Sequence, residues 1–268
     1  MMRTLSRRLA WTAALTTVLS ACSDSPTAPA FDASELASAD IAAVAGDGTF
    51  EDVSAMRHHQ GAFAPLPGPL PRFGAWTNDC AYDAGTEAFI CPSRSNGNVT
   101  HTRTYRLFDA SGAPQSAYDA VTTASASFTS STSGSATRQG FSATFTRQRA
   151  FTVSGLAGDE TTHTWNGTGS ASHSRTQHGD GGLTRSYGMT ASTTVTAVVL
   201  PFPPAADAWP LSGTIVRQVT FSREGARGPG RDGARTVTVT FNGTQFVPMM
   251  VNERAFTLDL ATGRPVRD

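Results

Sequence analysis

The chain is 268 residues long with 39% hydrophobic and 16% charged residues, enough for one large β domain or two small ones. All 21 basic residues are arginine, which excludes Schiff-base and Ser-Lys chemistry, because both need an amine that can lose its proton. Three arginines lie in the first eight residues, so the rest of the chain has a formal charge of −3 and lacks the global basic field of a nucleic-acid binder.

Met1 to Arg8 holds those three arginines, and an apolar run from Leu9 to Ala21 follows, the n-region and h-region of a secretory signal. The run is too short to span a bilayer as a helix. It ends in Leu19-Ser20-Ala21-Cys22, which resembles the lipobox of bacterial lipoproteins. The resemblance covers residues 1–22 and implies a diacylglycerol on the Cys22 thiol, cleavage before Cys22 and acylation of the new N-terminus. Several acyl chains, at roughly 0.8 kcal/mol per buried CH₂, hold more firmly than one. Ser23 stands where an aspartate would resemble an inner-membrane retention signal, so the implied address is the outer membrane. One implied partner is thus a membrane, reached through the lipid anchor.

From Ser23 to Ala30 the chain reads as a Ser/Pro/Ala tether. Two short helices are predicted next. Asp32 and Glu35 have capping-box spacing ahead of Leu36, Ile41 and Val44, with Gly46 as the stop; Thr49 and Asp52 form a weaker cap ahead of Val53 and Met56. The Pro-rich run from Pro65 to Pro71 excludes helix and central strand and reads as a stiff connector. The expected organisation is a signal peptide over 1–21, a lipidated tether with short helices and connector over 22–73, and an all-β domain over 74–268 that folds on its own.

Beyond Phe73 the hydrophobic period changes to two and turn signals recur, the pattern of antiparallel sheet with one solvated face. From Leu183 to Val199 the odd positions carry Leu183, Tyr187, Met189, Ala191, Val195, Ala197 and Val199, while Thr and Ser fill most even ones. Phe141, Phe145, Phe151 and Val153 share a face by the same rule, as do Val237, Val239 and Phe241. Asn166-Gly167 and Asn242-Gly243 have the preferred sequence of two-residue hairpin turns. The predicted fold is an antiparallel meander of roughly eight to ten strands, forming a curved sheet, sandwich or incomplete barrel.

Cys80 and Cys91 are the cysteines left after Cys22. A two-residue loop at Gly85-Thr86 would set Cys80 opposite Cys91 and Tyr82 opposite Phe89, so a disulfide is expected in an oxidising periplasm, contributing about 2–3 kcal/mol.

Four features invite a chemical reading. Gly228-Pro229-Gly230-Arg231-Asp232-Gly233 matches G-x-G-x-x-G, but strands expected at 213–222 and 235–241 flank it where a dinucleotide site needs a strand and then a helix. Arg223, Arg227, Arg231 and Arg235 make that stretch a candidate anion-binding loop for lipid or polysaccharide phosphates; a solvated loop partly neutralised by Glu224 and Asp232 is the simpler account. His163, His173, His178 and Asp180 are near in sequence, yet a hairpin at Asn166 would turn His163 and His173 to opposite faces, and His58 and His59 are adjacent and point apart. Trp76, Trp165 and Trp209 would stack on sugars if exposed and fill a core if not.

No catalytic, cofactor-binding or metal-ligating residues are assigned. The expected function is a lipid-anchored envelope lipoprotein with a non-catalytic structural or binding β domain, whose partner is an envelope protein, lipid or glycan and not nucleic acid. Two further readings are a carrier that shields an apolar or lipid ligand in an open barrel, which requires a hollow concave face, and an envelope hydrolase, which requires converging polar side chains. An integral outer-membrane barrel fits poorly, because the second face of the strands is Thr and Ser.

Overall fold

The computed structural model describes residues 33–61, 79–138, 141–178, 184–205, 207–225 and 231–267. The predicted signal, Cys22, the tether, the Pro-rich connector and Trp76 lie outside them.

One helix, α1 (Ala33–Gly61), precedes the strands. The long strands are β4 (Val99–Asp109), β6 (Thr123–Arg138), β7 (Phe141–Ser154), β8 (Thr162–His178), β9 (Thr184–Pro201), β10 (Ser212–Gly225) and β11 (Arg231–Thr240). The short ones are β1 (Ala81–Asp83), β2 (Ala88–Ile90), β3 (Arg94–Asn96) and β5 (Pro114–Gln115) early in the chain, and β12 (Phe246–Val251), β13 (Arg254–Asp259) and β14 (Arg264–Arg267) at its end. All fourteen join one antiparallel sheet in meander order, with β3 and β5 pairing to β4 off the main path. The sheet does not close into a barrel. Its edges, β1 and β14, are among the shortest strands, which limits the unpaired backbone they present.

Alternation divides the sheet into two faces, as the period-two pattern requires. The inner face buries Phe128, Phe151, Trp165, Val195, Ile215, Val239 and Met249, and α1 adds Ile41, Ala42, Ala45, Val53 and Met56 to the same core. The core thus spans both sides of the sequence boundary at 73/74. The outer face is mostly Ser and Thr; Thr144 bonds Ser174 and Thr146 bonds Ser172 at 2.8 Å each across β7 and β8.

Several sequence expectations need correction. The two predicted helices are one, because Gly46 is not a stop: a Cβ there would sit 2.3 Å from the Gly263 carbonyl oxygen, so the glycine permits close approach to the turn before β14. Asn166-Gly167 is not a hairpin turn but lies inside β8, beside a bulge. The bulged residue is Ala197 on β9, with φ at +47°, and the Asn166 Oδ1 accepts its N–H at 2.8 Å. That extra residue moves burial on β9 from Val195 to Val198 and Leu200, so Ala197 and Val199 leave the predicted buried face. Asn242-Gly243 does lie in a turn, within the longer loop between β11 and β12, where Asn242 Oδ1 accepts the Thr244 N–H at 3.1 Å.

Cys80 and Cys91 form the expected disulfide, and Tyr82 faces Phe89 in the expected register. The turn differs. The ladder stops at Asp83 and Ala88, leaving a four-residue loop in which the Asp83 carboxylate accepts the Gly85 and Thr86 N–H groups at 2.8 and 3.0 Å. Glu87 takes the left-handed conformation that closes it, with φ at +51°.

Candidate functional site

α1 lies along the inner face with a definite polarity. Its last turns stack the His59 ring on Phe128, with centroids 4.2 Å apart. Asp52 reaches Arg149 and Arg217, and Asp40 acts on Tyr187 further up the strands. The helix rises roughly 18 Å from Asp52 to Asp40, and β9 covers roughly 20 Å from Thr193, the partner of Arg217, to Tyr187. The N-terminus of α1 is therefore directed to the distal end of the sheet, where β6 meets β7, β8 meets β9 and β10 meets β11.

Antiparallel partners share a face, so the register defines rows across the sheet. One inner row runs Arg149, Gly169, Thr193, Arg217, Val237. Arg149 Nε donates to Asp52 Oδ1 at 2.6 Å, Arg217 Nη2 donates to Asp52 Oδ2, and Arg217 Nη1 donates to Thr193 Oγ1 at 2.7 Å. Asp52 and Arg217 are both buried. Glu51 pairs with Arg147 in the next row and lies 3.4 Å from Arg149. A Cβ at Gly48 would stand 3.1 Å from the Arg217 guanidinium carbon, so the missing side chain makes room for it. Burial first, then repulsion from Arg149 and Arg217, pushes Arg147 down to about 10. His101 is lowered by burial, with Arg103, Arg149 and Arg94 adding to it. Positive charge thus exceeds what the two helix carboxylates supply.

Beyond this belt the distal inner face changes character. The next rows read Phe145, His173, Met189, Phe221, Gly233 and then Ala143, Arg175, Tyr187, Arg223, Arg231. The rings of Phe145 and Phe221 lie over glycine on the neighbouring strand: a Cβ at Gly134 or Gly233 would meet them at 2.4 Å. The Arg175 guanidinium sits 4.9 Å from the Phe141 ring centroid. Neither row contains an acid; Glu224 and Asp232 pair with Ser186 and Ser222 in outer-face rows.

The anion-binding loop of the sequence reading is therefore mostly strand. β10 extends to Gly225 and β11 starts at Arg231, so Arg223 and Arg231 are direct partners in the ladder, and Arg235 pairs with Val219 two rows away. Arg227 lies outside the described residues. A strand, not a helix, follows the glycine-rich run.

The histidines are separated by distance and not by face. His163 and His173 both occupy inner positions of β8 but stand ten residues apart, roughly 33 Å along a strand. Asp180 and the His178 side chain lie outside the described residues, and no group of metal-ligating residues occurs among those described. His163 is buried with its ring stacked on Phe202, centroids 4.2 Å apart, and burial pushes it down to about 4. Between its ordinary value and about 4 the unfolded chain binds the proton and the folded chain does not, so stability falls with pH through that window. The loss reaches about 3 kcal/mol. Denaturant titrations at pH 7 and pH 4.5 should show less of this loss in His163→Phe; an identical pH slope in both proteins contradicts it.

Trp165 is wholly buried against Phe128, and half-buried Trp209 receives the Arg57 guanidinium 4.9 Å from its ring centroid. Trp165 therefore presents no face to a sugar, and Arg57 covers one face of Trp209. A shallow groove of about 430 Å³ opens on the outer face among Thr144, Ser174, Gly188, Thr190, Thr220 and Ser222. His173 touches its floor, but the hydroxyls of Ser172 and Ser174 on either side are bonded to Thr146 and Thr144.

The sequence reading missed the Asp52, Arg149 and Arg217 network. A signal existed: Arg147, Arg149 and Arg217 occupy odd positions among Phe145, Phe151, Ile215 and Val219, where the alternation demands apolar residues. No protein-family model, characterised protein or solved structure matches the chain.

Proposed function

We propose that the chain is a lipid-anchored envelope lipoprotein whose sheet is a non-catalytic binding module for an anionic partner, held on the distal inner face. The observation that carries the binding role is the interleaving of arginine with aromatic side chains there, with no acid in those two rows. Arginine supplies charge-assisted hydrogen bonds to phosphate or carboxylate, and half-buried rings beside it supply apolar contact and orient it. The address comes from the lipobox at Cys22. Among the described residues no helix is long and apolar enough to cross a membrane. The carrier reading loses its support because α1 fills the concave face near Phe128 and Trp165, where a hollow was required. The hydrolase reading gains no support from the described histidine and serine side chains: His173 alternates away from Ser172 and Ser174, whose hydroxyls bond their own cross-strand partners Thr146 and Thr144 on β7.

The test is fractionation of cells producing the parent and Cys22→Ala. Washing membranes with concentrated salt should retain the parent and release the variant, and intact mass should show acyl chains on the parent only. A variant retained as firmly as the parent rejects the lipid anchor.

A further inference from the structure

We propose that the distal end of the sheet docks on the anionic headgroup surface of the membrane that carries the anchor, so that the module stands tip-down on the bilayer. The proposal rests on the lipoprotein reading above and names the partner of the same face.

Two independent features converge on that end. The first is chemical. Phe141, Tyr187, Met189 and Phe221 are half-buried on the inner face, and Arg175 and Arg223 beside them are exposed. Rings and a thioether that enter the headgroup layer, next to guanidinium groups that bind lipid phosphates, are what an interfacial surface needs. A soluble anion would need the charge alone. The outer face of the same strands carries Ser and Thr, with Glu224 among them, and is not amphiphilic in this way, so only one side of the tip is fitted to lipid.

The second feature is positional. His59 at one end of α1 stacks on Phe128 and Asp52 pairs with Arg149 and Arg217; from Asp52 the helix runs nineteen residues back to Ala33, past Asp40, whose charge acts on Tyr187 in the distal rows. Cys22 precedes Ala33 by eleven residues, a length of chain that spans at most about 40 Å when fully extended. The anchor thus enters the fold at the arginine and aromatic tip. A membrane tethered there meets this surface first, at a high effective concentration.

The experiment uses the full-length Cys22→Ala chain, which has no lipid, sedimented with vesicles of phosphatidylglycerol and phosphatidylcholine or of phosphatidylcholine alone. Binding to the anionic vesicles should be at least about tenfold tighter and should disappear in concentrated salt. Arg175→Glu with Arg223→Glu should reduce it about tenfold, while Arg264→Glu on β14 should not. Hydrogen exchange of the unsubstituted Cys22→Ala chain should slow at residues 173–177, 185–189 and 221–225 when vesicles are added, a readout that does not depend on the charge-reversed variant folding. Equal binding to both vesicles, or protection confined to β12–β14, overturns the proposal. Displacement by inorganic phosphate overturns it in favour of a free anion, and binding to dextran sulfate without vesicle binding overturns it in favour of a polyanionic glycan. Vesicle binding by a chain whose parent carries no acyl group refutes the anchor and leaves docking standing; an acylated parent with no preference for anionic vesicles refutes docking alone.

Discussion

Asp52→Ala is expected to destabilise the protein by about 3–5 kcal/mol, the cost of leaving a buried charge without its partner. Asp52 is the shared acceptor for Arg149 on β7 and Arg217 on β10, strands that β8 and β9 separate in the sheet. Removing it leaves the Arg217 guanidinium buried with Thr193 as its remaining hydrogen-bonded partner. Arg147 and Arg149, neighbours on the same side of β7, then share Glu51. The penalty comes from the orphaned cations, so Asp52→Leu combined with Arg217→Met should recover the part owed to Arg217 by replacing that pair with apolar volume, while Arg149 keeps Glu51. Denaturant midpoints of the two proteins make the comparison. A loss below about 1 kcal/mol in the single variant would place the pair in the range of solvated surface bridges and refute the buried network.

A chain beginning at residue 74 is expected to lose cooperative folding. The sequence reading treats 74–268 as self-sufficient, but the inner face is completed by α1. Without it Phe128 loses its stacking on His59, the buried surface contributed by Ile41, Ala45, Val53 and Met56 is gone, and the arginine belt has no carboxylate. An exposed apolar strip flanked by uncompensated like charges opposes folding on both counts. The truncated chain should show a broad, non-cooperative thermal transition and rapid proteolysis within β7–β10, and adding α1 as a separate peptide should restore part of the protection. A sharp transition at the parent temperature would show that the sheet is stable alone.

The class of the fold is legible in one dimension because period two is a local property: a strand that alternates Thr or Ser with Phe or Val has one face for water and one for a core. Phe141, Phe145, Phe151 and Val153, and likewise Val237, Val239 and Phe241, lie on the inner side as the alternation requires. The register that joins Cys80 to Cys91 was legible for the same reason, since pairing two aromatic residues and two cysteines leaves one solution even when the turn is not the one expected. What tertiary structure decided is everything set by close approach between distant segments. Gly46 and Gly48 look like helix breakers in one dimension, yet they are spaces for the Gly263 carbonyl and the Arg217 side chain. Asn166-Gly167 has the chemistry of a turn but is held in a continuous strand because its side chain serves the Ala197 bulge next door. Asp52 reads as a cap until the strands that carry Arg149 and Arg217 are placed beneath it. The distal surface was half visible as a run of arginines at 223–235, but a one-dimensional spacing cannot show that Arg175, Tyr187 and Arg223 form one row, because strand pairing, not sequence proximity, brings them together.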